Sequence, residues 1–157
     1  MKQICFGPWT LRADAEATRR AYERTEQGSA EGCVCDACKN FVIVRDEAYP
    51  PEVLNLFETV GIDYRKETEL SHYWGLPSGL QLYSGWFYFA GQVAGGPESW
   101  TYIRSTSRQA QLHRLTPRFE IGFTQMEKRS QHFSEFPSVQ VDFCVELPWR
   151  SDAPEPD

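Results

Sequence analysis

"WFYFAGQV", residues 86–93, is apolar at nearly every position. In a strand, Trp86, Tyr88 and Ala90 fall on one face and Phe87, Phe89 and Val93 on the other, because successive side chains alternate. A strand apolar on both faces belongs in the middle of a sheet, covered on both sides. Toward the C-terminus, "FEIGF" (119–123) and "VQVDFCVEL" (139–147) alternate more cleanly. In the latter, Val139, Val141, Phe143, Val145 and Leu147 share one face, while Gln140, Asp142, Cys144 and Glu146 share the other. Turn signals punctuate this half: "PSG" at 77–79, "SG" at 84–85 and "GGPE" at 95–98. From "ELSHYWGL" (69–76) onward the chain therefore reads as antiparallel strands.

The first half reads differently. "YPPEVLNLFETVG" (49–61) puts Pro51 in a helix's first turn, Glu52 at the positive end of its dipole and Gly61 at its stop. Val53, Leu54, Phe57 and Val60 make its apolar face, predicted to pack on the sheet. "DAEATRRAYERTEQG" (14–28) predicts a second helix, capped by Asp14 and stopped by Gly28. Its apolar side is thin, mainly Ala17, Ala21 and Tyr22, which predicts a surface position. "QICFGPWTL" (3–11) reads as a short strand broken at Gly7-Pro8, and "NFVIVRDEA" (40–48) suits helix or strand equally. The fold class is α+β, with helices from the first half on one face of a largely antiparallel sheet from the second. Without a repeat or linker, residues 1–150 form one domain, and "SDAPEPD" (151–157) reads as a solvated acidic tail.

Composition narrows the function classes. A chain of 157 residues, 41% hydrophobic and 14% aromatic, can bury a core without disulfides. A formal charge of −6 argues against nonspecific binding to nucleic acid or an anionic membrane. No run is long enough for a transmembrane helix, and "MKQICFGPWT" lacks the apolar stretch of a signal peptide. A cytoplasmic location is expected, where five cysteines stay reduced.

Three of those cysteines crowd into "GCVCDACKN" (32–40). Cys35 and Cys38 have the C-x-x-C spacing that turns two sulfurs toward one zinc, and Cys33 can supply a third ligand. The fourth would come from Cys144, Cys5 or His72. The same spacing marks thiol-redox proteins, with Cys35 or Cys38 attacking. There it follows a buried strand, whereas here "GSAEG" precedes it. Glu31 and Asp36 against Lys39 also give a thiolate little electropositive help. The third reading is of small, buried packing residues.

"CVCDACKNF", "YPPEVLNLFETVGID" and "LYSGWFYFAG" together resemble a group of small bacterial proteins with a C-x-C-x-x-C-[KR]-N-[FY] signature, whose function is unassigned. The resemblance spans about residues 33 to 93, with the "PW" at 148–149 similar as well. It implies Cys33, Cys35, Cys38, Asn40 and Trp86 as signature positions and implies no activity. The Asn40 amide suits tying a cysteine-bearing turn to nearby backbone. Trp86 is expected in the core or as the wall of a pocket.

Other signals are bland. G-x-S-x-G, S-x-x-K, H-E-x-x-H, Walker and G-x-G-x-x-G patterns are missing, and His72, His113 and His132 are scattered. Between residues 104 and 118, Arg104, Arg108, Arg114 and Arg118 meet no acid, which suits an anion or an acidic partner. Nucleic acid is disfavoured there, because interleaved aromatics are missing. The leading expectation is a non-enzymatic interaction or ligand-binding module with a structural cysteine cluster. The alternatives are a small zinc-binding protein and a thiol-dependent enzyme using Cys35 or Cys38.

Overall fold

The computed structural model describes residues 1–104, 107–126 and 137–157, with 100–104 and 107–110 described by their backbone alone. Its axis is strand β4 (Gln81–Gly95), which holds the "WFYFAGQV" stretch. One edge of β4 pairs with β9 (Ser138–Leu147), from Gln81 opposite Leu147 to Ala90 opposite Ser138. Beyond β9 lie β8 (Phe119–Met126) and β7 (His113–Thr116). Two strands share the other edge of β4. β3 (Glu69–Gly75) takes its first half, and β2 (Trp9–Ala13), extended by β1 (Lys2–Phe6), takes its end. A separate hairpin is formed by β5 (Trp100–Arg104) and β6 (Ser107–Ala110).

Helix α1 (Ala15–Glu23) fills the gap between β3 and β2. There the backbone of β4 has no strand to pair with. The Tyr22 hydroxyl donates to the Tyr88 carbonyl at 2.8 Å and accepts from the Tyr88 amide at 3.2 Å. Thr18 Oγ1 accepts from the Ala90 amide, and the Ala90 carbonyl accepts from the Asp14 amide. Side chains thus complete a ladder whose buried groups would otherwise be orphaned. The helix lies at the surface with Glu16, Arg19, Arg20 and Glu23 exposed, while its thin apolar face, Ala17, Ala21 and Tyr22, is buried against β4 together with Thr18. It also ends earlier than Gly28, because Lys66 Nζ and the Thr25 amide take the Tyr22 carbonyl.

Helices α2 (Asp36–Val44) and α3 (Pro51–Val60) cover the inner face of the sheet. Phe41, Val44, Val53, Leu56, Phe57 and Val60 meet Tyr83, Phe87, Phe89, Phe119, Phe123 and the odd-numbered side chains of β9 in one core. Leu56, not Leu54, completes the α3 face, since the buried set 53, 56, 57, 60 follows the i, i+3, i+4, i+7 stripe. Residues 40–48 resolve as the rest of α2, the 3-10 turn Arg45–Glu47 and Ala48.

Three further expectations change. Ser84 and Gly85 form no turn and lie inside β4. Gly85 is there for close approach, since a Cβ would collide with the Glu69 carbonyl and sit 2.9 Å from Phe143 Cζ. Trp86 is therefore mid-strand on the outer face, half-buried in a cleft with Tyr73, Trp74 and Asp142, and only the inner face of β4 is fully covered. The Gly7-Pro8 break makes a hairpin, with Gly7 at φ 52, and joins the first-half strands β1 and β2 to the sheet.

The chain end is not simply solvated. Gln81 Nε2 donates to Glu155 Oε1 at 3.1 Å and to the Pro156 carbonyl at 3.4 Å, and Trp149 Nε1 donates to the Ala153 carbonyl at 2.8 Å. Residues 151–157 thus fold back against the β3–β4 hairpin. Among the described residues no helix is long and apolar enough to cross a membrane.

Candidate metal centre

The cysteine cluster is built where a loop meets a helix start. Cys35 is the N-cap of α2, with extended backbone at φ −73 and ψ 155. Its Sγ accepts from the Cys38 amide at 3.4 Å, the place a serine hydroxyl ordinarily takes. The spacing of three residues therefore puts Cys38 one turn on, above its partner. Cys33 is carried in by the preceding loop, which the chain fastens at several points. The Ser29 amide donates to the Glu67 carbonyl, the Ala30 amide to Glu67 Oε1 at 2.8 Å, and the Cys33 amide to the Ala30 carbonyl. Arg45, buried on α2's extension, holds Glu31 at 2.7 Å and the Arg65 carbonyl at 3.0 Å.

These fastenings bring the Cys33 and Cys35 sulfurs to 3.2 Å, and the three sulfurs of the cluster all lie within 4.8 Å of one another. Cys35 is exposed, Cys33 and Cys38 are half-buried, and all are free thiols. The group is therefore able to hold a metal ion. The Cys35 amide and the Cys38 thiol point hydrogen bonds at Cys33 and hold its pKa below the ordinary thiol value. Burial, reinforced by its bond to Cys33, pushes Cys38 well above that value. The thiol tuned downward is thus Cys33, outside the C-x-x-C pair, while Cys38 of that pair is tuned upward.

Asn40 lies one turn below the cysteines, fully buried. Its Oδ1 accepts from the Arg150 and Ser151 amides at 2.7 and 3.1 Å, while its Nδ2 donates to the Pro148 carbonyl and the Tyr83 hydroxyl. Tyr83 in turn donates to the Ala37 carbonyl at 2.8 Å. The amide expected to tie a turn to nearby backbone instead ties the cysteine helix to the distant end of the chain.

The three candidates for a fourth ligand stand apart from the cluster. Cys5 is exposed on edge strand β1. Cys144 sits between Ser84 and Glu120 on the outer face of the sheet, opposite the face that α2 covers. His72 Nε2 is engaged with Gln81 Oε1 at 2.8 Å. Of the arginines, Arg114 pairs with Glu120 at 2.7 Å and Arg118 is exposed, while the side chains of Arg104 and Arg108 lie outside the described residues, as does His132.

A cleft of about 390 Å³ opens beside Cys33, walled by Tyr22, Tyr88, the 27–32 loop and Lys66 to Thr68. Sequence reasoning missed it. Nothing in "RKET" (65–68) marks Glu67, 2% exposed, as a buried acid. Burial, outweighing backbone hydrogen bonds that act in the opposite direction, raises the Glu67 pKa.

Thiol reactivity checks this geometry. In metal-free, reduced protein, iodoacetamide followed by peptide mapping should label Cys33 at a pH where Cys144 is still protected. Burial first, then Glu120 and Glu146, pushes Cys144 up to about 11. Cys144 labelled ahead of Cys33 would contradict the arrangement.

What fold and site define is an α+β protein whose partly exposed three-cysteine group can take a metal ion. Comparison with protein-family models, curated proteins and solved structures gives no match, so function is argued from the site.

Proposed function

We propose that this is a small zinc-binding protein, in which Cys33, Cys35 and Cys38 hold the ion and the fourth position stays open to an incoming ligand. One observation carries the reading: the sulfur separations, from 3.2 Å up to at most 4.8 Å. Zn–S bonds of about 2.3 Å set the edges of a tetrahedron at about 3.8 Å, inside that span. Small side-chain rotations then suffice, with the backbone already placed by the Cys35 cap and the Glu67 and Arg45 contacts. Three protein ligands and a free position is the arrangement that zinc uses when it must bind something else. The ligand-binding module expected from the sequence and the zinc protein become one reading. A reducing cytoplasm suits it, since the ligands must stay thiols.

The test is metal analysis with thiol counting on natively folded protein. One zinc per chain is expected, with five titratable thiols in the metal-free form and two in the loaded form, as the cluster's three are masked. Cys35→Ser with Cys38→Ser should abolish the zinc. A reduced protein that retains no zinc at stoichiometry would sink the proposal. The thiol-redox reading rests on the same short Cys33–Cys35 approach, and it predicts three thiols after mild oxidation and no metal.

A further inference from the structure

The three sulfurs of the cluster differ in what holds them. Cys38 belongs to α2, is half-buried and packs against the core. Cys33 and Cys35 precede the helix, which begins at Asp36, and the residue between them, Val34, is 86% exposed. Their sulfurs lie 3.2 Å apart, closer than the edge of about 3.8 Å that two thiolates span on one zinc. A sulfur–sulfur bond of about 2.05 Å asks this pair for a further approach of only about 1 Å. Both residues sit outside the helix proper, so the approach needs no unwinding of α2. The Cys33 amide is held by the Ala30 carbonyl, and the Ala30 amide by Glu67 Oε1, which keeps Cys33 beside Cys35. Cys5 and Cys144 stand apart from this group. The pair set to join is therefore Cys33 with Cys35, and not the C-x-x-C pair.

We propose that Cys33 and Cys35 form a redox switch on the metal centre: a low-molecular-weight disulfide oxidises this pair, and the centre loses its ion. The inference rests on the zinc reading above. In the loaded centre all three sulfurs are thiolates, so access decides which one reacts, and Cys35 is the exposed one. Its sulfur attacks one sulfur of the small disulfide, that S–S bond breaks, and one small thiolate leaves. Cys33 then attacks Cys35 Sγ of the mixed disulfide across the 3.2 Å approach, and the second small thiolate leaves. Two electrons have passed from the cysteine pair to the reagent, whose two thiolates take protons from solvent. Zinc stays divalent and goes to solvent, because Cys38 is then the one thiolate of the cluster left to hold it. A small thiol in excess runs the exchange backwards and restores the site.

The experiment treats zinc-loaded protein with glutathione disulfide and follows zinc release with a chromogenic chelator against an untreated control. Metal analysis precedes the treatment, and the remaining thiols are alkylated afterwards for tandem mass spectrometry. Zinc release is expected in step with a disulfide joining Cys33 to Cys35, with the alkyl label on Cys5, Cys38 and Cys144. Dithiothreitol should return all five thiols and the capacity for zinc. In metal-free protein, Cys38→Ser should close the same disulfide as the parent, whereas Cys33→Ser should stop at a mixed disulfide with glutathione. A disulfide between Cys35 and Cys38, with the label on Cys33, overturns the switch and leaves the zinc reading standing. So does zinc kept at stoichiometry once the Cys33–Cys35 disulfide has formed, and so does protein that glutathione disulfide leaves unchanged. Zinc release with no disulfide within the chain has the same consequence. Protein that holds no zinc before treatment overturns both, and the initial metal analysis identifies that case.

Discussion

Phe57→Ala is expected to cost about 3–5 kcal/mol. The ring is 1% exposed, 4.8 Å from Phe87 and 5.6 Å from Tyr49, centroid to centroid. Tyr49 also touches Phe119 and Phe143, so the ring belongs to one aromatic group joining α3 to β4, β8 and β9. Deleting it removes transfer free energy and leaves a cavity that neighbours locked in edge-on contacts cannot collapse into. For a chain of this length the melting temperature should fall by about 6–20 °C. Leu54→Ala is the internal control. Leu54 is only partly buried, packing on the edge of the core, and its removal should cost clearly less. A loss under about 1 kcal/mol for Phe57→Ala, or a larger one for Leu54→Ala, would show that α3 presents a different face to the sheet.

That pair also marks what the sequence could and could not say about the fold. Val53, Phe57 and Val60 were legible because helical periodicity acts over a few residues. Leu54 was the wrong neighbour because a stripe wide enough for both it and Leu56 leaves the choice to tertiary contacts. The strand β9 was legible throughout, because Val139 to Leu147 alternate without interruption. Ser84-Gly85 misled, since a glycine chosen for close approach to Glu69 and Phe143 looks the same in sequence as one chosen for a turn. The role of α1 was invisible: Tyr22 read only as part of a thin apolar face, and Thr18 carried no signal, until β4 is known to lack a neighbour there.

At the site, the spacing of Cys33, Cys35 and Cys38 was legible because three close thiols need only a local turn to meet. That Cys144, Cys5 and His72 all stand apart from the cluster was not. Cys144 satisfies every local criterion, yet its even position on β9 sends it to the far side of the sheet from α2. Glu67 and Lys66 acquire their roles only through contacts with residues 30 and 22, many positions away.

The second large effect is expected at Asn40, where Asn40→Ala should destabilise by about 2–4 kcal/mol. The side chain is fully buried and makes four hydrogen bonds. Tyr83 keeps its bond to the Ala37 carbonyl when the amide goes. The Pro148 carbonyl and the Arg150 and Ser151 amides lose a partner each, at about 1–3 kcal/mol per stranded group, moderated where water can enter. The segment from Pro148 onward should then loosen, although Arg150 still has Glu47 and Gln81 still holds Glu155. Asn40→Asp separates the contributions: it keeps an acceptor for the two amides but loses both donors and sets a charge against the Pro148 carbonyl. It should not rescue the alanine variant. Because α2 is clamped by this amide, the zinc reading proposed above predicts that zinc affinity falls about tenfold in Asn40→Ala although none of the three cysteines is touched, in line with the loss of groups that orient metal ligands. Equilibrium unfolding and competitive zinc titration measure the two effects. An Asn40→Ala protein that unfolds like its parent would mean that the chain end is not held through α2, and the cysteine turn would have to be rigid on its own.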